Sequence, residues 1–175
     1  MGATATARHL TRRFAGSLLP RGPRPLDDAW AAGVLTPAEL GVWRRMSGPD
    51  RRHAVGVARR VDEALRGGAR PVLAAALLHD AGKIDSGLGT LSRVPVTVFA
   101  LAGGRSRART WVELPDGVRS RVAAYLDHPA RGAALLRAAG SDPVTVAWAA
   151  EHHLPPDRWS VAPAIGRALA AADDD

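Results

Sequence analysis

The chain has no cysteine, no asparagine and no glutamine, and a single lysine among its 24 basic residues. Without cysteine there is no disulfide framework, no zinc ribbon and no thiol nucleophile, so any metal site must be built from His, Asp and Glu. Aromatic residues fill only 5% of the 175 positions. No apolar run reaches the roughly eighteen residues that a membrane-crossing helix needs; the longest, around Val72–Leu78 and Val94–Ala102, stop well short. What is present, 46% hydrophobic against 23% charged residues, suits one folded domain with a real core and excludes a disordered chain.

Arginine takes every basic position that Lys83 does not, a usage expected of GC-rich coding, so the net charge of +7 is weak evidence for an anionic partner. The same bias singles out Lys83, because a chain that almost excludes lysine does not keep one as filler. Residues 1–25, with Pro20, Pro23 and Pro25, read as an irregular basic leader. The apolar stretch after Arg13 ends at Pro20-Arg21, too early for a signal-peptide core, and the expected compartment is the cytoplasm.

From residue 26 to 175 the punctuation predicts helix after helix and a single all-α domain. Thr36-Pro37-Ala38-Glu39 is a capping box with proline at the first helical position, opening a helix to about Met46. Gly48-Pro49-Asp50 breaks the chain, and Asp50 is expected to cap a helix over Arg51–Leu65 on which His53, Val57, Val61 and Leu65 share one face. Val72–His79 is apolar all round and therefore central. Gly-rich Ala81–Ser92 reads as a loop, Val94–Ala102 as a short buried helix in preference to a strand, and Gly103–Arg109 as a basic loop. Helices follow at about Gly117–Leu126, Pro129–Ala139, Pro143–His153 and Pro163–Ala172. Trp30, Trp43, Trp111 and Trp148 belong in or near the core, and Trp159, just after paired histidines, is a candidate to line a pocket.

Of the six histidines, His53, His79, His128, His152 and His153 fall on helices or helix ends that look buried. Each alone is an ordinary core or surface histidine. Together they suggest a metal site. Asp80 follows His79 at the end of the most apolar helix, where an unpaired carboxylate is costly and a cation would satisfy both residues. Ile165, Leu169 and Asp173 recur every fourth residue, so Asp173 extends an inward stripe while Asp174 and Asp175 drift into solvent. A carboxylate at a helix C-terminus opposes the macrodipole unless a cation sits beside it. His53, His79, Asp80 and Asp173 form a nitrogen and oxygen donor set suited to manganese or iron, and also to magnesium, cobalt or nickel; His128 with His152 or His153 would hold a second ion.

These residues resemble the HD-domain superfamily of metal-dependent phosphohydrolases, whose pattern is His, then His-Asp, then Asp on an all-helical core. The pattern reads here as Arg52-His53-Ala54-Val55-Gly56-Val57-Ala58, His79-Asp80-Ala81-Gly82-Lys83 and Ala171-Ala172-Asp173. Dinuclear branches add two histidine motifs, matched by His128-Pro129-Ala130-Arg131-Gly132 and Glu151-His152-His153, and the resemblance spans about Asp50–Asp173. It implies one metal on His53, His79, Asp80 and Asp173, with Asp80 bridging to a second on His128 and His152. His153 is then a further ligand or a substrate contact. Lys83 resembles the family lysine that meets the substrate's anionic group; Arg105, Arg107, Arg109 and Trp159 are further candidate substrate contacts. The implied activity is cleavage of a phosphate ester or phosphoanhydride, in a nucleotide or small phosphorylated metabolite, by a hydroxide that the metals activate. The HD-GYP branch, which cleaves cyclic di-GMP, follows its paired histidines with Gly-Tyr-Pro. Here Leu154-Pro155-Pro156 stands there, and Pro49 stands where trinuclear members carry Glu, which disfavours that substrate and a third metal.

Two other classes fit parts of the pattern. A mixed-valent diiron oxygenase uses an equivalent ligand set and a similar lysine, and differs in needing iron and oxygen. A non-catalytic HD sensor or interaction domain would be expected to have lost ligands, and none is missing. Val94–Leu101 followed by Arg105, Arg107, Arg109 and Trp111 offers an apolar and basic face for a membrane or partner, although a core helix and solvated loop explain it as well. No nucleic-acid motif occurs.

Overall fold

Proline marks where most of the helices start. In the computed structural model, which describes residues 22–86, Gly117 and residues 123–174, a proline lies in the first turn of α1 (Pro25–Val34), α2 (Pro37–Arg45), α3 (Gly48–Ala64), α4 (Arg70–Leu78), α5 (His128–Ala138) and α6 (Pro143–Glu151). Its fixed φ suits the helix and its missing N–H is one that the first turn leaves unpaired anyway. α7 (Pro163–Asp174) closes the series, with 3-10 turns at Ala81–Ser86 and Pro156–Arg158 and a further helical stretch at residues 123–126. No strand occurs among the described residues, and the fold is the expected all-α single domain.

The capping box at Thr36 forms as its sequence dictates: Thr36 Oγ1 accepts from Glu39 N–H and the Glu39 carboxylate accepts from Thr36 N–H at 2.9 Å. The start of α3 differs from expectation. Ser47, not Asp50, is the cap, its hydroxyl accepting from Asp50 N–H at 3.3 Å and donating to the Asp50 carboxylate at 2.6 Å. The helix therefore begins at Gly48 and takes Pro49 into its first turn. The glycine-rich segment after Asp80 is also more regular than a loop, because Lys83 N–H donates to Asp80 C=O at 3.0 Å and winds Ala81–Ser86 into a 3-10 turn. The readings made for the leader up to residue 21, for residues 87–116 and for 118–122 lie outside the described residues.

α4 is the axis of the core, with every residue from Val72 to Leu78 buried. Its alanines at 74, 75 and 76 let neighbours close in, so α3 packs on one side and α6 on another, α5 covers α6 and the 3-10 turn, and α7 lies on α3. Leu77, Leu78, Leu136 and Leu169 are fully buried, each contributing about 1.5–3 kcal/mol of transfer free energy. Trp43 and Trp148 are core residues as expected, and Trp30 packs at the margin under the Arg59 guanidinium, 3.8 Å from the ring centroid. Glu39 is completely buried and also accepts from Arg70 at 2.9 Å, which pins the start of α4 to the start of α2. No helix among the described residues is long and apolar enough to cross a membrane.

Candidate metal centre

The candidate ligands come together because helix ends converge. His79 closes α4 and Asp80 follows it; His152 closes α6 and His153 follows; Asp173 lies in the last turn of α7. His128 is the first residue of α5, and His53 faces inward from α3 on the stripe of Val57 and Val61. The C-termini of α4, α6 and α7 each present partial negative charge, so their convergence favours a cation.

Three histidines are fixed in one tautomer by backbone carbonyls. The Nδ1 of His79 meets Ala76 C=O at 2.9 Å, that of His128 meets Tyr125 C=O at 2.7 Å and that of His152 meets Ala149 C=O at 3.1 Å. A carbonyl only accepts, so each Nδ1 carries a proton and each Nε2 is turned inward, the arrangement by which outer contacts orient metal-binding imidazoles. All three Nε2 atoms are buried and none makes a hydrogen bond. Leaving one buried polar atom unpaired costs about 1–3 kcal/mol. Three together in one place call for a shared partner.

The donors are spaced for metal ions. His53 Nε2 lies 2.8 Å from Asp173 Oδ1, which lies 3.7 Å from His79 Nε2, which in turn lies 3.4 Å from Asp80 Oδ2. On the other side, Asp80 Oδ1 lies 3.3 Å from His128 Nε2 and 3.8 Å from His152 Nε2. Donors around one ion, each about 2.1 Å from it, stand roughly 3.0–3.4 Å apart, so both groups are within small adjustments of coordination. His53, His79 and Asp80 make one cluster, and His128, His152 and His153 the other, the atoms of each within 4.8 Å of one another. Asp80 faces both, one oxygen to each.

Charge follows the geometry. Burial pulls the His79 imidazole down, but the Asp80 and Asp173 carboxylates outweigh it and raise its pKa to about 9. Burial pushes the Asp80 carboxyl up, and Lys83 and His79 overcome this and hold it well below the usual range. Burial and neighbouring His153 and His79 hold His152 well below its ordinary value, and burial with His128 takes His153 to about 4, although His153 keeps an exposed edge. Without metal His79 is thus an imidazolium, standing where a cation is wanted. Its stabilising contribution is complete below the ordinary value of 6.5 and is lost as pH rises through about 9. Metal uptake at pH 7.5 is expected to expel the His79 proton, measurable by calorimetry in buffers of different ionisation enthalpy. Uptake with no proton release would place the ion elsewhere.

Lys83 completes the picture: its ammonium pairs with Asp80 Oδ2 and is 14% exposed. Burial lowers its pKa and Asp80 more than compensates, so it stays charged. Trp159 packs edge-on against Trp148 at 5.4 Å and donates to Leu154 C=O, and Trp148 lies 6.4 Å from His152. Arg105, Arg107 and Arg109 fall outside the described residues. The sequence reading missed Tyr125, the only tyrosine, whose carbonyl orients His128 and whose ring lies 5.7 Å from the His128 ring and 5.9 Å from Lys83 Nζ. Its place one helical turn before His128 was the available signal. Compared with protein-family models, curated proteins and solved structures, the chain matches none.

Proposed function

We propose that the chain is a metal-dependent phosphohydrolase of the HD type, holding two divalent cations and cleaving a phosphate ester or phosphoanhydride of a nucleotide or small phosphorylated metabolite in the cytoplasm. The observation that carries this reading is Asp80, a buried carboxylate with one oxygen toward His79 and the other toward His128 and His152, three histidines whose buried Nε2 atoms make no hydrogen bond. His53, His79, Asp80 and Asp173 would hold one ion; His128, His152 and Asp80 the other, with His153 at its open edge. When bound, such a pair would supply Lewis acidity toward phosphoryl oxygens and would lower the pKa of a nucleophilic water. The protein's own groups do the rest. Lys83 brings a fixed positive charge to the rim of the site, where it would pair with a phosphoryl oxygen and offset charge that grows in the transition state. The carbonyls of Ala76, Tyr125 and Ala149 keep the imidazoles from turning, so the donors need no reorganisation.

The test is metal content by elemental analysis of untagged protein, followed by phosphate release from a panel of nucleotides and phosphate esters. Two equivalents of manganese or iron per chain are expected, with turnover in the loaded protein. Lys83→Ala should keep both metals and lose about 10²–10³ in kcat. Iron-dependent oxygen consumption without phosphate release would replace hydrolysis by oxygenase chemistry. No metal, even after anaerobic reconstitution, would refute both.

A further inference from the structure

Asp173 reaches the site from the end of α7, a helix whose main packing is on α3. The last carbonyls of a helix have no partner within it and fray readily. One of them is held here from outside. Arg60 of α3 donates twice to Ala172 C=O, from Nε at 2.9 Å and from Nη2 at 2.7 Å. Arg60 stands seven residues, two helical turns, after His53 and shares its face of α3. Its side chain passes over Gly56, where an added Cβ would already touch Arg60 Nη1 at 3.4 Å.

The acceptor matters as much as the donor. Ala172 C=O lies in the same peptide plane as the nitrogen and Cα of Asp173, so fixing that oxygen fixes the direction from which the Asp173 side chain leaves the backbone. The cationic fork also offsets the negative end of the α7 dipole beside a carboxylate that this end would otherwise repel. We propose that Arg60 is the positioning residue that sets Asp173 in place as a ligand, so that one metal half-site, and not the other, depends on it. This inference rests on the metal-centre reading for its consequence, and on the two hydrogen bonds alone for its mechanism.

Two measurements test it on the whole chain. The first is titration of Mn²⁺ into metal-free protein. Arg60→Met should weaken the half-site of His53, His79 and Asp173 by about 10–100-fold, the usual cost of losing an outer contact to a ligand. The half-site of His128 and His152 should keep the parent affinity. Arg60→Lys, which can still donate once, should recover part of the loss, and Arg60→Met added to Asp173→Asn should cost nothing further. Parent affinity at both half-sites in Arg60→Met, or equal loss at both, would overturn the proposal.

The second measurement needs no metal. Amide exchange of Ala172–Asp174 in the metal-free chain should quicken about tenfold or more in Arg60→Met, with α4 and α5 unchanged. Unchanged exchange at the end of α7 would overturn the clamp. If the parent chain takes up no Mn²⁺, the metal-centre reading fails by itself and the exchange result still decides whether Arg60 holds Asp173.

Discussion

Asp80→Asn protein, purified without chelator, is expected to carry less than about a tenth of the parent's metal at either half-site. Asparagine keeps the volume of the side chain, removes its charge and turns one of its two acceptor oxygens into a donor. The loss should be total because Oδ2 faces His79 and Oδ1 faces His128 and His152, so both clusters are missing the same residue. The variant should also be less stable without metal. Lys83 and the His79 imidazolium would remain buried with their nearest countercharge gone, and breaking such a pair from one side costs about 3–5 kcal/mol. Elemental analysis and urea unfolding read the two effects separately. Asp174→Ala, one residue beyond Asp173 and exposed, is the control and should change neither. Full metal content in Asp80→Asn would rule Asp80 out as a ligand shared by the two proposed half-sites.

A single methyl group at position 82 should be as damaging. A Cβ on Gly82 would lie 1.9 Å from His128 C=O and 2.5 Å from Gly132 N, both backbone atoms that cannot rotate away. The 3-10 turn and α5 would have to part, and overpacking against backbone costs about 3 kcal/mol or more. That separation moves His128 away from Asp80, so Gly82→Ala should lose the second half-site even where it still folds. From the other side, Gly132→Ala meets Gly82 N at 3.0 Å and should be milder, about 1–2 kcal/mol. Gly33→Ala and Gly41→Ala, helical glycines with nothing within 4 Å, should raise stability by about 0.5–1 kcal/mol. Urea midpoints for the four variants check the order, and an unperturbed Gly82→Ala would show that the crossing is looser than described.

The reach of sequence reasoning follows from what kind of signal each residue leaves. The central position of Val72–Leu78 was plain, because an all-apolar helix has nowhere else to go. The capping box at Thr36 was plain for a similar reason: both partners lie within four residues. The inward turn of Asp173 was legible from its spacing to Ile165 and Leu169, since a helix repeats whatever it will later pack against. Ser47 was overlooked because two residues in one short stretch can cap, and only the backbone shows which hydroxyl or carboxylate reaches the free N–H groups. Arg60 left no trace, and Gly82 stood in the His79–Lys83 motif with nothing to show its packing role. One acts on a carbonyl far along the chain and the other makes room for a distant backbone, and neither kind of contact has a period or a spacing.

The pairing of Lys83 with Asp80 has a consequence for the chain's reactivity. Lys83 is the only lysine, so the entire side-chain amine chemistry of the protein is concentrated at one mostly buried point beside the candidate metal centre. The nucleophile in acylation, glycation or ubiquitin transfer is an unprotonated amine that the reagent can reach. Here the amine is held protonated against Asp80 and mostly buried. Lysine-directed enzymes and reagents therefore meet one narrow, protonated target, and Lys83 becomes reactive only when its pairing with Asp80 is broken.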